Sequence, residues 1–170
     1  MRCVRDLSRL SWTLSGWTPE LWRMMQTMEL GESPDAEVSG LPARVPGSVQ
    51  KALLDAGILP DWRVGDNWRA CEWVENRHWV YETYLPPDWL QPGLRHRLVC
   101  EGLDYSGWVY LDEDLVGEFC GSHVPHVFDL TSRAGSDRKR LRIVFDCPPR
   151  WLGQFGYTSR IREWKVRFNY

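Results

Sequence analysis

The chain has 170 residues, a mass of 20.0 kDa and a formal net charge of −2. This length suits one domain with a substantial core, and the small charge gives no general attraction to nucleic acid or to anionic lipid. Tryptophan is the compositional outlier, with eleven residues against five Phe and six Tyr. An excess of Trp suits either a β-sandwich core filled with rings or a surface that stacks on sugars, and the core is favoured for any single Trp.

The cysteines and the N-terminal sequence bear on the cellular compartment. The cysteines are odd in number and form no CxxC pair, which predicts neither a zinc knuckle nor a disulfide framework. They are Cys3, Cys71, Cys100, Cys120 and Cys147. The N-terminus has no apolar stretch of the length that a signal peptide needs, and no segment approaches a transmembrane span. We therefore predict a reduced, cytoplasmic protein with no metal, cofactor, membrane or nucleic-acid partner.

A short helix is predicted before the main run of strands. In "VPGSVQKALLDAGILPD" the apolar residues follow helical spacing, at Val49, Ala52, Leu53 and Ala56. Gly57 is placed to end the helix in a left-handed conformation. The preceding stretch 31–48, "GESPDAEVSGLPARVPGS", has the composition of a loop and is too short to separate two domains. The sequence thus predicts one helix near residues 48–56.

From residue 78 onward, the apolar residues alternate with period two and turn residues interrupt them often. A strand is predicted from His78 to Leu85, where two prolines follow that cannot donate to a ladder. The stretch "SGWVYLDEDLVGEF" is typical of two strands around a turn at Asp112-Glu113-Asp114. The stretches "VPHVFDLTS" and "KRLRIVFD" each predict a further strand.

Frequent short strands with turns between them predict an all-β fold, an antiparallel β-sandwich or jelly roll. Since side chains alternate between the two faces of a strand, one set of apolar residues is expected to lie inside. The predicted members of this core are Leu98, Val109, Leu111, Leu141, Ile143 and Phe145.

Few residues have the spacing of a catalytic or metal site. His123 and His126 are three residues apart, but a proline lies between them in an extended context, so ordinary loop or strand histidines are favoured. Glu72 and Glu75 are interpreted as part of a solvated face rather than as an acid/base couple. The sequence has no glycine-rich phosphate loop and no GxSxG motif. Composition and spacing alone therefore identify no activity.

The order of several phrases resembles a known family. "VPGSVQKALLDAGILPDWRVGDN" is followed by "WVYETYLP", "EGLDYSGWVYLDEDLVGE", "FDLT" and "LRIVF", and the chain closes on "KVRFNY". Together these phrases resemble the N-terminal, galactose-binding-like domain of glycoside hydrolase family 2, its β-mannosidase-like branch in particular, from about Trp12 to Tyr170. The chain departs from the family at Asp112-Glu113-Asp114, where Asn-Gly is usual, and at Cys100, where Phe is frequent.

The resemblance implies that residues 1–170 are a single N-terminal β-sandwich domain of a longer hydrolase. In that family a Trp-Asp-Trp motif, an immunoglobulin-like domain and a TIM barrel with two catalytic glutamates follow, and this chain stops before that motif. The family's acid/base glutamate directly follows an asparagine, whereas the three asparagines here precede Trp68, Arg77 and Tyr170. No catalytic residue is therefore assigned. We expect this chain alone to be inactive and the full-length enzyme to be a retaining glycosidase.

A candidate contact segment lies near the C-terminus, in "RWLGQFGYTSRIR". Its glycines let the backbone turn sharply, and the flanking side chains offer a stacking face and hydrogen-bond donors. The candidates are Trp151, Gln154, Tyr157, Arg160 and Arg162. They either reach toward a substrate site or form an interdomain surface, at which Arg160 and Arg162 meet carboxylates of a neighbouring domain. The interdomain role is favoured.

Three functional classes remain open. The leading one is a non-catalytic domain that packs on the catalytic barrel of a β-mannosidase-like enzyme and helps shape its site for a β-linked carbohydrate. The others are a free-standing carbohydrate-binding module and a purely structural interaction domain. An apolar stripe also ends the chain, at Trp164, Val166, Phe168 and Tyr170. If it is exposed, we expect the isolated chain to self-associate through it.

Overall fold

The computed structural model describes residues 3–18 and 37–147. Within these ranges the strands are β1 (Trp12–Trp17), β2 (Val38–Ala43), β3 (His78–Leu85), β4 (Arg97–Cys100), β5 (Ser106–Leu111), β6 (Asp114–Cys120), β7 (His126–Asp129) and β8 (Lys139–Phe145). A six-stranded sheet has the order β2-β1-β3-β8-β5-β6, and a two-stranded sheet pairs β4 with β7. All these pairs are antiparallel, which confirms the predicted all-β fold.

The helix was predicted correctly. It is α1 (Val49–Asp55), and the Ser48 side chain caps it by accepting a hydrogen bond from the backbone N–H of Lys51 at 3.2 Å. Gly57 has φ +71° and its N–H donates to the carbonyl of Leu54 at 2.9 Å, so the helix ends in the predicted left-handed conformation. Among the described residues, three 3-10 helices also occur, at Leu7–Arg9, Asn67–Asn76 and Thr131–Arg133. None of the described helices is long and apolar enough to cross a membrane.

The core lies between the two sheets. Leu98 and Phe128, from the small sheet, belong to one apolar cluster with Val109, Leu111 and Ile143 from the large sheet. All the predicted core residues are buried except Phe145, which is half-buried and packs against the same cluster. Fully burying one such side chain stabilises the fold by about 1.5–3 kcal/mol. This shared core confirms that the two sheets form a sandwich.

The described tryptophans are buried or half-buried, and none of them is fully exposed on the surface. Trp12 and Trp79 are buried, at 3% and 5% exposure, and the other six described tryptophans are half-buried. The indole N–H of Trp79 donates to the carbonyl of Val74 at 2.7 Å, which satisfies the one polar group of the ring. This agrees with the core interpretation of the tryptophan excess.

One part of the sequence interpretation was wrong. The stretch 31–48 was interpreted as a loop, but it contains the strand β2. This strand contains Gly40 and Pro42, which are typical of turns. Because β2 lies at the edge of the large sheet, its proline does not have to donate to a second neighbouring strand.

Candidate functional site

Strand β8 ends beside the start of β3, at what we call the exit end: His78, Ser106, Asp146 and Cys147. The N–H of Asp146 donates to the carbonyl of Ser106 at 2.8 Å. The N–H of Cys147 donates to Nδ1 of His78 at 3.0 Å, and the His78 side chain is buried. These two hydrogen bonds fix the place from which the chain continues beyond residue 147.

The His78 ring has a structural part in this arrangement. A ring nitrogen that accepts a hydrogen bond carries no proton, so the Cys147 hydrogen bond requires an unprotonated Nδ1. A carboxylate oxygen of Asp146 lies 3.3 Å from the same Nδ1. A proton on Nδ1 would therefore exchange the Cys147 hydrogen bond for an ion pair with Asp146. His78 is a buried link between two strands.

The face of the large sheet that points away from the core carries a second apolar cluster, which we call the outer cluster. Val80 and Val144 are directly paired across β3 and β8, and they are 6% and 0% exposed. Three half-buried rings pack against them, those of Trp17, Trp108 and Tyr110. An outer face of an antiparallel sheet is usually polar, so this cluster marks the face as a contact surface.

Charged side chains occupy the end of the large sheet opposite the exit end. Arg142 forms an ion pair with Glu113 at 2.9 Å, and its guanidinium lies 5.3 Å from the centre of the Tyr110 ring. Arg140 pairs with the same glutamate and lies 4.0 Å from Glu82. The pairs with Glu113 bridge β8 to the turn between β5 and β6, and the contact with Glu82 bridges β8 to β3.

The turn itself depends on Asp112, which has φ +55°. One carboxylate oxygen accepts the N–H of Arg140 at 2.9 Å, and the other lies 3.0 Å from the ammonium group of Lys139. Partial burial raises the pKa of Asp112, but these hydrogen bonds and the two positive charges outweigh it, so its pKa lies below the ordinary value. Asp112 therefore holds the turn to the start of β8.

The two histidines that were weighed as metal ligands make no such site in the structure. His126 is half-buried and its Nε2 lies 3.2 Å from the carbonyl oxygen of Gly121, while His123 is exposed. Within 3–18 and 37–147, no group of three or more His, Cys, Asp or Glu side chains is placed to hold a metal ion.

The sequence candidates for binding lie outside the described residues. They are Trp151, Gln154, Tyr157, Arg160 and Arg162, and the apolar stripe from Trp164 to Tyr170 lies outside them as well. The contact roles assigned to them stay predictions. The structure describes instead the exit end, from which the polypeptide leads toward them.

Sequence reasoning missed the outer cluster and the His78 link. The cluster had a visible pattern, because "SGWVYL" is apolar at every position from Trp108 to Leu111, which is typical of a strand covered on both faces. The link had none, since His78 and Cys147 are 69 residues apart in sequence.

Two packed antiparallel sheets with a short capped helix define a galactose-binding-like β-sandwich. The family model described as "Glycosyl hydrolase 2 galactose-binding domain-like" matches residues 22–154, and the chain belongs to this family. This confirms the resemblance that the sequence phrases indicated.

The curated relatives that the chain matches in sequence include β-mannosidases. It is 27% identical over 122 residues to β-mannosidase B of Thermothelomyces thermophilus, covering 71% of this chain and 14% of that protein. It is 26% identical over 153 residues to β-mannosidase B of Aspergillus terreus, covering 82% of this chain and 18% of that protein. These relatives support the β-mannosidase-like branch.

Solved structures share the fold at lower sequence identity. A β-D-mannosidase from Dictyoglomus thermophilum matches with TM-score 0.63 and 21% identity, over 81% of this chain and 15% of that one. An exo-chitosanase from Amycolatopsis orientalis matches with TM-score 0.60 and 14% identity, over 80% of this chain and 16% of that one. The chain therefore spans less than a fifth of each of these four relatives.

Proposed function

We propose that this chain is the non-catalytic N-terminal domain of a retaining β-glycosidase of the β-mannosidase-like kind. It packs on the catalytic barrel of the same polypeptide and helps shape a site for a β-linked carbohydrate. The observation that carries this proposal is the family match over residues 22–154, together with relatives named β-mannosidase that are several times longer.

The ion pairs of the carboxylates within residues 3–18 and 37–147 support the non-catalytic part of the proposal. A retaining glycosidase needs two carboxyl groups about 5–5.5 Å apart on either side of the bond that it cleaves. The carboxylates of Asp112 and Glu113 at the turn form ion pairs with Lys139, Arg140 and Arg142. Because these ion pairs link β8 to the turn, the two carboxylates have a structural role.

The exit end supports the packing part of the proposal. Hydrogen bonds to Ser106 and His78 hold the backbone at residues 146 and 147, so the residues after Cys147 start from a fixed position. A fixed point of departure suits a domain whose next segment must meet a neighbouring domain in one geometry. The candidate residues begin four positions later, at Trp151.

The test compares this 170-residue chain with a longer polypeptide that continues it through the barrel. Both are incubated with nitrophenyl β-mannoside, β-galactoside and β-glucuronide. We expect turnover, with retention of anomeric configuration, only from the longer polypeptide, because acid/base assistance and the covalent intermediate need the barrel carboxylates. Turnover by the short chain that is lost when one of its own carboxylates is changed would contradict the proposal.

Glycan-array binding by the short chain discriminates the alternatives. Tight binding to a β-linked glycan would favour a free-standing carbohydrate-binding module. No binding, together with a marked loss of stability on separation from the barrel, would favour a purely structural domain.

A further inference from the structure

The outer face of the large sheet is built in rows of directly paired residues, and its central row is apolar. This row begins at Ser15 on β1, is apolar from Val80 on β3 through Val144 on β8 to Trp108 on β5, and ends at Glu118 on β6. Directly paired residues project to the same face of a sheet. Val80 and Val144 are covered, whereas Trp108 is half-buried and keeps part of its ring in contact with solvent.

The neighbouring rows extend the apolar area. Trp17 is paired with His78 in the row toward the exit end, and Tyr110 is paired with Leu115 in the row toward the charged turn. Leu115 is 46% exposed. Trp17, Trp108 and Tyr110 lie in three adjacent rows and pack against the same two valines, so they form one apolar cluster. Such a cluster is larger than the single exposed apolar residues that are normal on a monomer.

The chain leaves β8 at the rim of this surface. Asp146 and Cys147 are held at the row of Trp17 and His78 by the hydrogen bonds of the exit end. The 23 residues from 148 to 170 follow. Two strand spacings, from β8 to β6, amount to about 10 Å, and three or four extended residues already span that distance.

The charges of the face and of residues 148–170 are complementary. Those residues contain five basic side chains and one acidic one. On the outer face, Arg140 and Arg142 are matched by Glu82 and Glu113. Glu118 is exposed and makes no ion pair with any residue in 3–18 or 37–147. The unmatched charge beside Trp108 is therefore negative, and the residues that follow Cys147 are positive.

We propose that the outer face of the large sheet is the docking surface for residues 148–170 of the same chain. Their apolar side chains cover Trp108, Tyr110 and Trp17, and their basic side chains neutralise Glu118. The docked residues replace water over a cluster that the sandwich core cannot reach, because the core lies on the opposite side of the sheet.

The experiment measures hydroxyl-radical oxidation of Trp108 by mass spectrometry in two chains, 1–170 and a chain that ends at Cys147. Both are first checked for equal far-ultraviolet circular dichroism and cooperative melting. We expect Trp108 to oxidise several-fold faster in the shorter chain. Trp62 and Trp89, which are half-buried and pack against the core cluster instead, should oxidise equally in both.

Two further measurements use the full chain alone, so the proposal can be tested even if the shorter chain does not fold. In the full chain, Glu118→Lys should raise the oxidation of Trp108, whereas Asp137→Lys, an exposed change beyond the far end of β8, should not. Raising the salt concentration to about 1 M should also raise the oxidation of Trp108, because it shortens the Debye length to about 3 Å and so screens the attraction between Glu118 and the basic side chains.

Equal oxidation of Trp108 in the two folded chains, or no effect of Glu118→Lys, would overturn the proposal. Protection that disappears on dilution would also overturn it, because the face would then be covered by a second copy of the chain.

Discussion

The backbone N–H of Cys147 donates to Nδ1 of the buried His78 at 3.0 Å, so the last described residue is tied to the first residue of β3. We predict that His78→Ala lowers the free energy of unfolding by about 1–3 kcal/mol, because it leaves a half-buried donor without its partner. The amide of Cys147 should then exchange its hydrogen faster, as measured by exchange and mass spectrometry.

His78→Asn is the matched control. Its side-chain oxygen lies near the position of Nδ1 and accepts the same hydrogen bond, so protection of the Cys147 amide should be largely restored. If His78→Ala lowers stability but leaves that amide as protected as before, the hydrogen bond is not what holds the exit end.

The core strand β8 supplies a second prediction. Ile143 is 7% exposed and packs between the sheets, so Ile143→Ala should lower the free energy of unfolding by about 2–5 kcal/mol. Val127, on the solvent side of β7, is 56% exposed, and Val127→Ala should change stability by less than about 0.5 kcal/mol. The measurement is urea unfolding of both variants. Equal midpoints would mean that the faces of β8 are assigned the wrong way round.

The elements that the sequence predicted are those that local patterns specify. Strand β3 occurs with the predicted bounds, His78 to Leu85, because an alternating run meets two prolines. Helix α1 has a capping serine and a terminal glycine that act within a few residues. Such features need no knowledge of distant parts of the chain.

The elements that were missed depend on distant contacts. In β1, a Cβ at Gly16 would lie 2.6 Å from the Trp79 ring, so that glycine serves close packing with a strand 63 positions away and not a turn. In β2, Pro42 is tolerated because the strand is at an edge, and an edge is known only once the sheet order is known. The outer cluster likewise required the pairing of Val80 with Val144.

The half-buried thiol of Cys100 gives a third prediction. Burial raises the pKa of Cys100 to about 11. The thiolate is the reactive form, so we expect Cys100 to react with iodoacetamide at pH 8 much more slowly than the exposed Cys120. Because the folded state favours the neutral thiol, this group's stabilisation is present below its ordinary pKa and is lost as the pH rises toward 11.

Peptide mapping after a short pulse of iodoacetamide measures the two thiols in one sample. Unfolded chain in urea is the control, in which both cysteines should react alike. Faster labelling of Cys100 than of Cys120 in the folded chain would show that β4 is open to solvent on its inner face.

The turn at Asp112 gives the last prediction. The pKa of Asp112 is lowered in the folded state, since the Arg140 N–H and the Lys139 ammonium group stabilise its carboxylate. A group with a lowered folded pKa stabilises the fold above its unfolded pKa, near 4, and this contribution is lost as the pH falls through the lower folded value.

The substitution Asp112→Asn keeps an acceptor for the Arg140 N–H and tolerates the positive φ, but it removes the charge. We therefore expect it to lower stability at pH 7 by about 0.2–1 kcal/mol, as for other largely exposed ion pairs, with the difference from the parent shrinking below pH 4. Asp137→Asn, which removes an exposed carboxylate outside this network, is the control for the loss of one negative charge. Urea midpoints measured from pH 3 to pH 7 decide the matter, and a difference that grows as the pH falls would mean that the sign of the Asp112 pKa shift is wrong.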